Sequence, residues 1–323
     1  MFKKIVAVFL MILTLTACSN TSSADSSSSA NSDGEERYKI GFVANGATLW
    51  EYPKSSINYY TELQEKYPIE VVVFDAQGDA GKQATMVGDA VAQGCDAITI
   101  IPIDNKSVLP ACMEAMQAGV PVFNLGNVDM GEENAGVAFV SNIGAGSSLT
   151  VSEMIGEAFV ENLESGSKVV SLIGVAGTAE TEQRLEVWQQ MCEENGIEVL
   201  DVQATDWDAN KALQIMQNFL VQYPEIDGVF VQWDDGAVSV VKALEAVGKL
   251  DETFICSVDG NKNGFDLVRE GKIYCTAAQE QEKICEEAVK TTIAYLEGQD
   301  VEPYVTIPYV KITTENVDDY TPW

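Results

Sequence analysis

The sequence contains no histidine, and this absence narrows the chemistry open to the protein. Histidine is the commonest general base near neutral pH and a frequent zinc ligand, so Ser-His-Asp and Cys-His nucleophile systems and most catalytic zinc sites are excluded. We therefore expect a protein that is not an enzyme and needs no cofactor. A carbohydrate-active enzyme using Asp234 and Asp235 is the alternative, but adjacent side chains of a strand point to opposite faces.

Basic residues are scarce, with 19 Lys and Arg against 50 Asp and Glu and a formal net charge of −31. A field of this sign repels nucleic acid and anionic lipid headgroups, so we expect no nucleic-acid partner. It also favours neutral or cationic small molecules as ligands. The alternative interpretation is that the acidity only keeps the protein soluble.

Cysteines at the spacing of a metal or redox site are also missing, because no C-x-x-C pair occurs. Several cysteines lie in apolar runs such as Phe254 to Val258, where a thiol behaves as a small hydrophobic group. We expect buried thiols, with disulfides as the alternative in an oxidising compartment. Besides Cys18, these cysteines are Cys95, Cys112, Cys192, Cys256, Cys275 and Cys285.

The first residues have the pattern of an export signal, with Lys3 and Lys4 before an apolar run from Ile5 to Leu13. The signal peptide, residues 1–17, ends in Leu-Thr-Ala before Cys18, which resembles a bacterial lipobox whose cysteine receives lipid. We expect a chain that lies outside the cytoplasm and is anchored to the cell membrane through Cys18. An ordinary signal peptide is the alternative. Residues 18–36 are serine-rich and predict a disordered linker.

From Tyr38 onwards, short β-branched runs alternate with helical stretches, which predicts an α/β fold with largely parallel sheets. Two consecutive sets of five strands predict two doubly wound lobes. The predicted strands are Lys39 to Ala44, Val71 to Asp75, Ala97 to Ile101, Val120 to Leu125 and Val137 to Val140, then Lys168 to Ile173, Glu198 to Gln203, Gly228 to Val231, Phe254 to Val258 and Ile273 to Ala278.

Positions just after these strands are rich in amides, carboxylates and tryptophan, and ligands of open parallel sheets bind beyond the carboxyl ends of strands. Nine stretches stand in an order and spacing typical of one family, namely Lys39 to Val43, Phe74 to Gln77, Ile101 to Asp104, Gly119 to Val122, Gly174 to Thr178, Met216 to Asn218, Val229 to Asp234, Val258 to Gly260 and Thr276 to Gln279. Through them the chain resembles, over Tyr38 to Val310, the ribose-binding-protein-like family of type I solute-binding proteins, the extracellular receptors of sugar ABC transporters.

The resemblance implies the periplasmic binding protein type I fold, in which two doubly wound parallel-sheet lobes are joined by a three-strand hinge. It places the N-terminal lobe at residues 37–142 plus 280–306 and the C-terminal lobe at 143–279 plus 307–323. It further implies a monomer that binds a neutral sugar-like molecule between its lobes and delivers it to an ABC transporter permease. A ligand sensor that feeds a chemoreceptor or sensor kinase is the alternative.

The resemblance also implies a set of ligand-binding residues. Ribose receptors of this family have Asp-Arg where this chain has Gly126-Asn127, arginine at the position of Glu182 and asparagine at that of Trp233. Ribose is therefore disfavoured, and a polyol, an amino sugar, a nucleoside and a modified sugar all stay open. Glu182 has an alternative role as a helix cap, and Asp259 as a turn residue. The alternative for the aromatic residues, Trp50, Tyr52, Trp207 and Trp233, is a structural role such as packing. The implied ligand-binding residues are Asn45, Trp50, Tyr52, Asn127, Glu182, Trp207, Trp233, Asp259 and Gln279.

The segment from Asp259 to Glu270 fits the pattern of an EF-hand calcium loop. We nevertheless expect no metal there. The usual apolar eighth position is Asp266, and the preceding residues predict a strand where an EF-hand needs a helix.

Overall fold

The computed structural model describes residues 29–30, 36–126 and 138–323. The predicted export signal, Cys18 and Asn127 lie outside these ranges. Two parallel-dominated sheets with flanking helices make up the fold, which confirms the predicted class. Within the described ranges, no helix has both the length and the apolar character needed to cross a membrane.

The first sheet has the strand order β1-β2-β4-β5-β6-β12, with β3 paired to β2. All its pairings are parallel except that of β1 with β2. Its strands are β1 (Ser29–Ala30), β2 (Glu36–Ala44), β3 (Ile69–Asp75), β4 (Ala97–Ile100), β5 (Val122–Leu125), β6 (Ser141–Gly144) and β12 (Tyr304–Thr306). The helices that flank it are α1 (Glu51–Leu63), α2 (Ala80–Ala92), α3 (Asn105–Gln117) and α9 (Gln281–Leu296).

The second sheet has the order β13-β11-β10-β9-β7-β8, and only β13 runs antiparallel to its neighbour. Its strands are β7 (Lys168–Ile173), β8 (Glu198–Ala204), β9 (Gly228–Val231), β10 (Phe254–Asp259), β11 (Cys275–Ala278) and β13 (Val310–Ile312). The helices around it are α4 (Ser148–Asn162), α5 (Ala179–Glu194), α6 (Ala209–Gln222), α7 (Asp234–Val247) and α8 (Lys262–Arg269).

The chain passes between the two sheets three times. It leaves the first sheet after β6, returns after β11 to form α9 and β12, and leaves again between β12 and β13. Helix α9 belongs with the first sheet, because Glu286 accepts hydrogen bonds from Lys66 and Tyr67 next to α1. Three short connections therefore join the lobes.

Several helices begin directly at the strand ends, where a polar side chain caps the first turn. Asp79 accepts a hydrogen bond from the backbone N–H of Lys82, and Asn261 accepts one from that of Gly264. Caps of this kind satisfy N–H groups that have no partner inside the helix. They fix the helix N-termini beside the carboxyl ends of the strands.

The fifth strand of the first lobe lies further along the chain than predicted. The prediction was Val137 to Val140, whereas β6 covers Ser141–Gly144. The apolar pattern failed here because Ser141 and Asn142 are buried polar residues. The Ser141 hydroxyl donates to the carbonyl of Glu302 at 2.7 Å, and the Asn142 side chain accepts from Asn124 at 3.0 Å, so burial leaves these groups satisfied.

The six cysteines from Cys95 onwards are all buried and free, in agreement with the thiols expected from the sequence. Cys256 and Cys275 are neighbours in register on β10 and β11. Burial raises the pKa of the Cys112 thiol to about 12. Desolvation likewise raises the pKa of Cys192 to about 12.

We expect these thiols to react slowly with an aromatic disulfide reagent at pH 8 while the protein is folded, because little thiolate forms and the sulfurs are out of reach. The protein used should begin after Cys18. Absorbance should report all six thiols within the mixing time once guanidinium is added. Fast labelling of the native protein, or fewer than six thiols after unfolding, would contradict the prediction.

Candidate functional site

Two tryptophans stand together where β8 and β9 end. The rings of Trp207 and Trp233 meet edge to face, with centroids 5.5 Å apart and planes at 88°. Trp207 has φ of +58°, so a left-handed turn brings its ring back over β7. A Cβ atom at Gly174 would lie 2.1 Å from that ring, and only glycine allows this approach. The result is a rigid apolar wall at the strand ends of the second lobe.

Arg184 is buried beside this wall, although it lies in the second turn of α5. Its side chain is 2% exposed, its Nη1 donates to the carbonyl of Gln232 at 3.0 Å, and its Nη2 lies 2.7 Å from Glu180 Oε1. The guanidinium is 5.9 Å from the centroid of the Trp207 ring, within the range of a cation–π contact. One face of Trp207 therefore already has a cation.

Asp259 ends β10 with an unusual backbone, having φ of +128°. Its carbonyl accepts hydrogen bonds from the backbone N–H of Gln279 and from the indole Nε1 of Trp323, both at 2.8 Å. Desolvation and the nearby Asp234 carboxylate raise the pKa of Asp259 well above its ordinary value. A carboxylate in this position needs hydrogen-bond donors, and Gln279 Nε2 offers one at 3.5 Å.

Asp234 is a buried carboxylate with a structural role. It accepts hydrogen bonds from the Ser257 and Thr276 hydroxyls and from the backbone N–H groups of Gly260 and Asn261. These bonds fix the turn between β10 and α8. Burial raises the pKa of Asp234 to about 7, although each of the four bonds lowers it.

The segment from Asp259 to Glu270, which fits the EF-hand pattern, forms this same turn and the helix α8. The Asn261 side chain caps α8, and Asp266 pairs with Lys262 and with Arg269. In the ranges that the structure describes, no cluster of three or more acidic or cysteine side chains could hold a metal ion.

The first lobe contributes the loop between β2 and α1. The Asp75 carboxylate accepts hydrogen bonds from the backbone N–H groups of Ala47 and Thr48, at 3.0 and 3.2 Å, and thereby fixes this loop. Trp50 lies so close to Gly46 that a Cβ there would be 2.8 Å from its ring. The loop holds Trp50 at the start of α1, one turn before Pro53 and next to Tyr52.

Both lobes place buried polar atoms without partners at these strand ends. Each such atom costs about 1 to 3 kcal/mol when nothing pairs with it. The set contains acceptors, a donor and two hydroxyls. Within the described residues none has a partner in full hydrogen-bond geometry, although the Tyr52 hydroxyl lies near the Gln281 side chain and the Tyr309 hydroxyl near that of Arg184. These atoms are Asn45 Oδ1, the Tyr52 hydroxyl and Gln281 Oε1 on the first lobe, with Arg184 Nε and the Tyr309 hydroxyl on the other side.

The predicted residues are distributed as follows. On the first lobe, the residues after β2 are Asn45, Trp50 and Tyr52. On the second lobe, Trp207 follows β8, Trp233 follows β9, Asp259 is the last residue of β10, and Gln279 follows β11. Glu182 is exposed, and its Oε1 accepts from the backbone N–H of Gly177 at 2.9 Å, which is the geometry of a turn cap. Asn127 lies outside the described residues.

Four residues here were missed by the sequence reasoning, namely Arg184, Gln281, Tyr309 and Trp323. The prediction considered residues that follow strands and positions that match the family, and these four residues are in neither group. Arg184 had one usable signal, since it follows Glu180 at the spacing of a helical ion pair. Trp323 had none, because its partner Asp259 is 64 residues away along the chain.

Residues 40–300 match the family model of the periplasmic binding protein domain. The chain belongs to this family. A ribose import binding protein of Bacillus subtilis is 29% identical over 316 residues, which cover 97% of this chain and 99% of that protein. The ribose import binding protein of Escherichia coli is 32% identical over 74% of this chain and 78% of its own length.

Solved structures of solute-binding proteins share the fold. One from Bacillus halodurans with bound myo-inositol is 27% identical, has a TM-score of 0.79, and is matched over 88% of this chain and 97% of its own. One from Actinobacillus succinogenes with bound D-allose has a TM-score of 0.81 at 22% identity, over 88% of this chain and 100% of its own. The predicted resemblance is confirmed. Since these relatives are binding proteins of transport systems, this member of the family is a binding protein and not an enzyme, and it works outside the cytoplasm.

Proposed function

We propose that the protein captures a neutral polyhydroxylated molecule, a monosaccharide or a polyol, between its lobes and delivers it to an ABC transporter. The observation that carries the proposal is that both lobes hold buried polar atoms without partners near their strand ends, where the second lobe also presents the Trp207–Trp233 ring pair. Relatives that bind sugars and polyols support the proposal. Among them are the ribose import binding proteins and a xylitol-binding protein of Mycolicibacterium smegmatis. The latter is 27% identical over 95% of this chain and 83% of its own length. The structure with bound myo-inositol supports it further.

The kinds of unpartnered atom favour hydroxyl groups. Asn45 Oδ1 and Gln281 Oε1 need a donor, whereas Arg184 Nε needs an acceptor. A ligand hydroxyl is both, so a ring or chain of hydroxyls can satisfy the whole set. The half-buried Trp207 ring offers an apolar surface for the C–H face of such a molecule, and Trp233, which is 6% exposed and packs in the core, supports it from behind.

A cationic ligand such as an amino sugar fits less well. An ammonium group over an indole gains about 0.5 to 2 kcal/mol in favourable cases. Here the Arg184 guanidinium is already 5.9 Å from the Trp207 ring, and a second cation there would be repelled. The local charge therefore favours a neutral ligand, although the chain as a whole is strongly acidic.

Lobe movement and anchoring are part of the proposal. The three chain crossings support two lobes that close on the ligand about a hinge. The predicted lobes were 37–142 plus 280–306 and 143–279 plus 307–323, but β6 extends the first lobe to Gly144. The proposed ligand contacts are Asn45, Trp50, Tyr52, Trp207, Trp233, Asp259 and Gln279, with Arg184 added. The hydrogen bond of Glu182 to Gly177 favours its capping role, and Asn127 stays a prediction.

We further propose a monomer that is tethered by lipid on Cys18.

Isothermal titration against ribose, allose, xylitol, myo-inositol, glucosamine and adenosine tests the proposal. We expect at least one neutral sugar or polyol to bind with a dissociation constant near or below about 1 μM, or about −8 kcal/mol. Trp207→Ala serves as the matched negative control, because it removes the wall and leaves the fold's polar network in place. Binding of glucosamine alone, or of no member of the panel, would contradict the proposal.

A further inference from the structure

Trp323 connects the two lobes at the site. Its indole Nε1 donates to the carbonyl of Asp259 at 2.8 Å, its carbonyl accepts from the backbone N–H of Lys262 at 3.1 Å, and its N–H reaches the carbonyl of Gly260 at 3.4 Å. These contacts fix residue 323 to the turn between β10 and α8. Its ring also meets that of Tyr52 edge to face, with centroids 5.9 Å apart and planes at 84°.

The hydrogen bond from the Trp323 indole to the Asp259 carbonyl holds the backbone conformation that orients the Asp259 carboxylate. A φ of +128° is rarely adopted by a residue with a side chain, and it persists only when its surroundings hold it. The Asp259 carbonyl is held by two donors, the Gln279 N–H and the Trp323 indole. Loss of the indole removes one of the two. The peptide then keeps only the Gln279 N–H on its carbonyl and the bond from the Gly260 N–H to Asp234, so the Asp259 backbone is held less firmly.

The contact with Tyr52 acts across the lobes. Tyr52 lies on α1 of the first lobe, whereas Trp323 is bonded to the second. Because Trp323 is fixed to its own lobe, the ring contact must break when the lobes separate. Edge-to-face pairs of this geometry are favourable beyond the area they bury.

We propose that Trp323 is a positioning residue for the binding site, which orients the Asp259 carboxylate and stabilises the closed arrangement of the lobes through Tyr52. The inference rests on the proposed function, because the carboxylate and the closure matter only for a ligand held between the lobes. It adds to the site a residue from beyond the segment that matches the family model, which ends at residue 300.

The test compares Trp323→Ala and Trp323→Phe with the wild type, using whichever panel member the wild type binds. We expect Trp323→Ala to weaken binding about 10- to 100-fold, mostly through faster ligand dissociation measured by stopped flow. Trp323→Phe keeps a ring against Tyr52 but loses the indole donor, so it should recover part of the loss. Tyr320→Ala is the matched control, since Tyr320 is an exposed aromatic residue of the same segment, and its affinity should equal the wild type's.

Two further measurements separate positioning from a general loss of structure. In an Asp259→Asn background, Trp323→Ala should cost less affinity than in the wild type, because the indole acts partly through that carboxylate. Small-angle scattering should show a larger radius of gyration for ligand-free Trp323→Ala than for the wild type. If the wild type binds nothing in the panel, the proposed function fails and the scattering comparison alone decides the role of Trp323. Unchanged dissociation rates or, where no ligand binds, an unchanged radius of gyration would overturn the inference.

Discussion

Replacing Asp259 with alanine is expected to lower ligand affinity about 100- to 1,000-fold, equivalent to about 3 to 4 kcal/mol. The carboxylate is the strongest acceptor at the strand ends of the second lobe, and hydrogen bonds to a charged group contribute about 1.5 to 3 kcal/mol each. Titration calorimetry with the best panel member measures the loss. Asp251→Ala removes the same charge from an exposed position and should bind like the wild type.

The pH dependence of binding gives a second readout for Asp259. Its raised pKa means that protonation begins at a higher pH than for an ordinary aspartate. Ligand hydroxyls donate best to the ionised form, so affinity should fall as the pH is lowered through that pKa. Asp259→Asn should bind more weakly with less dependence on pH. A dissociation constant for Asp259→Ala within threefold of the wild type would show that the carboxylate does not contact the ligand.

Removal of the buried guanidinium should have the largest effect on stability. We expect Arg184→Ala to lower the free energy of unfolding by about 3 kcal/mol, because it leaves the Gln232 carbonyl without its donor and opens a cavity beside Trp207. This loss in unfolding free energy should lie at the low end of the cost of breaking a buried ion pair, because the partner Glu180 is 41% exposed and can be hydrated. Urea unfolding followed by circular dichroism measures it.

Arg269→Ala is the control for this change. Arg269 also pairs with carboxylates, Asp266 and Asp318, but its side chain is 46% exposed. Exposed ion pairs contribute about 0 to 1 kcal/mol, so this variant should unfold close to the wild type. Equal urea midpoints for the two arginine variants would disprove the structural importance of Arg184.

The architecture was predictable because strand and helix periods differ and because strand ends carry readable signals. The run of β10 is apolar on both faces, as buried parallel strands are, and the capping residue Asn261 follows two residues after it. The strand β6 was misplaced because its polar residues are satisfied by partners distant in sequence, which no local pattern reports. Strands β12 and β13, with three residues each, are too short to produce a pattern.

The site was predictable only in part, for a similar reason. Trp207 and Trp233 follow strands, so the rule for open sheets found them. Arg184 becomes a site residue only when its helix is packed against Gln232, and Trp323 only when a distant segment folds back onto Asp259. Such contacts arise from tertiary structure, and a single sequence contains no local sign of them.

The three chain crossings have a consequence for the order of folding. The first sheet acquires its last strand from residues 304–306, which pair with β6, and the second acquires its own from residues 310–312. Helix α9, which follows β11 of the second sheet, must also return to cover the first sheet. Synthesis from the N-terminus therefore leaves both halves unfinished until nearly all of the chain has been made. Such long-range closure slows folding and prolongs exposure to proteases and aggregation before the native state forms.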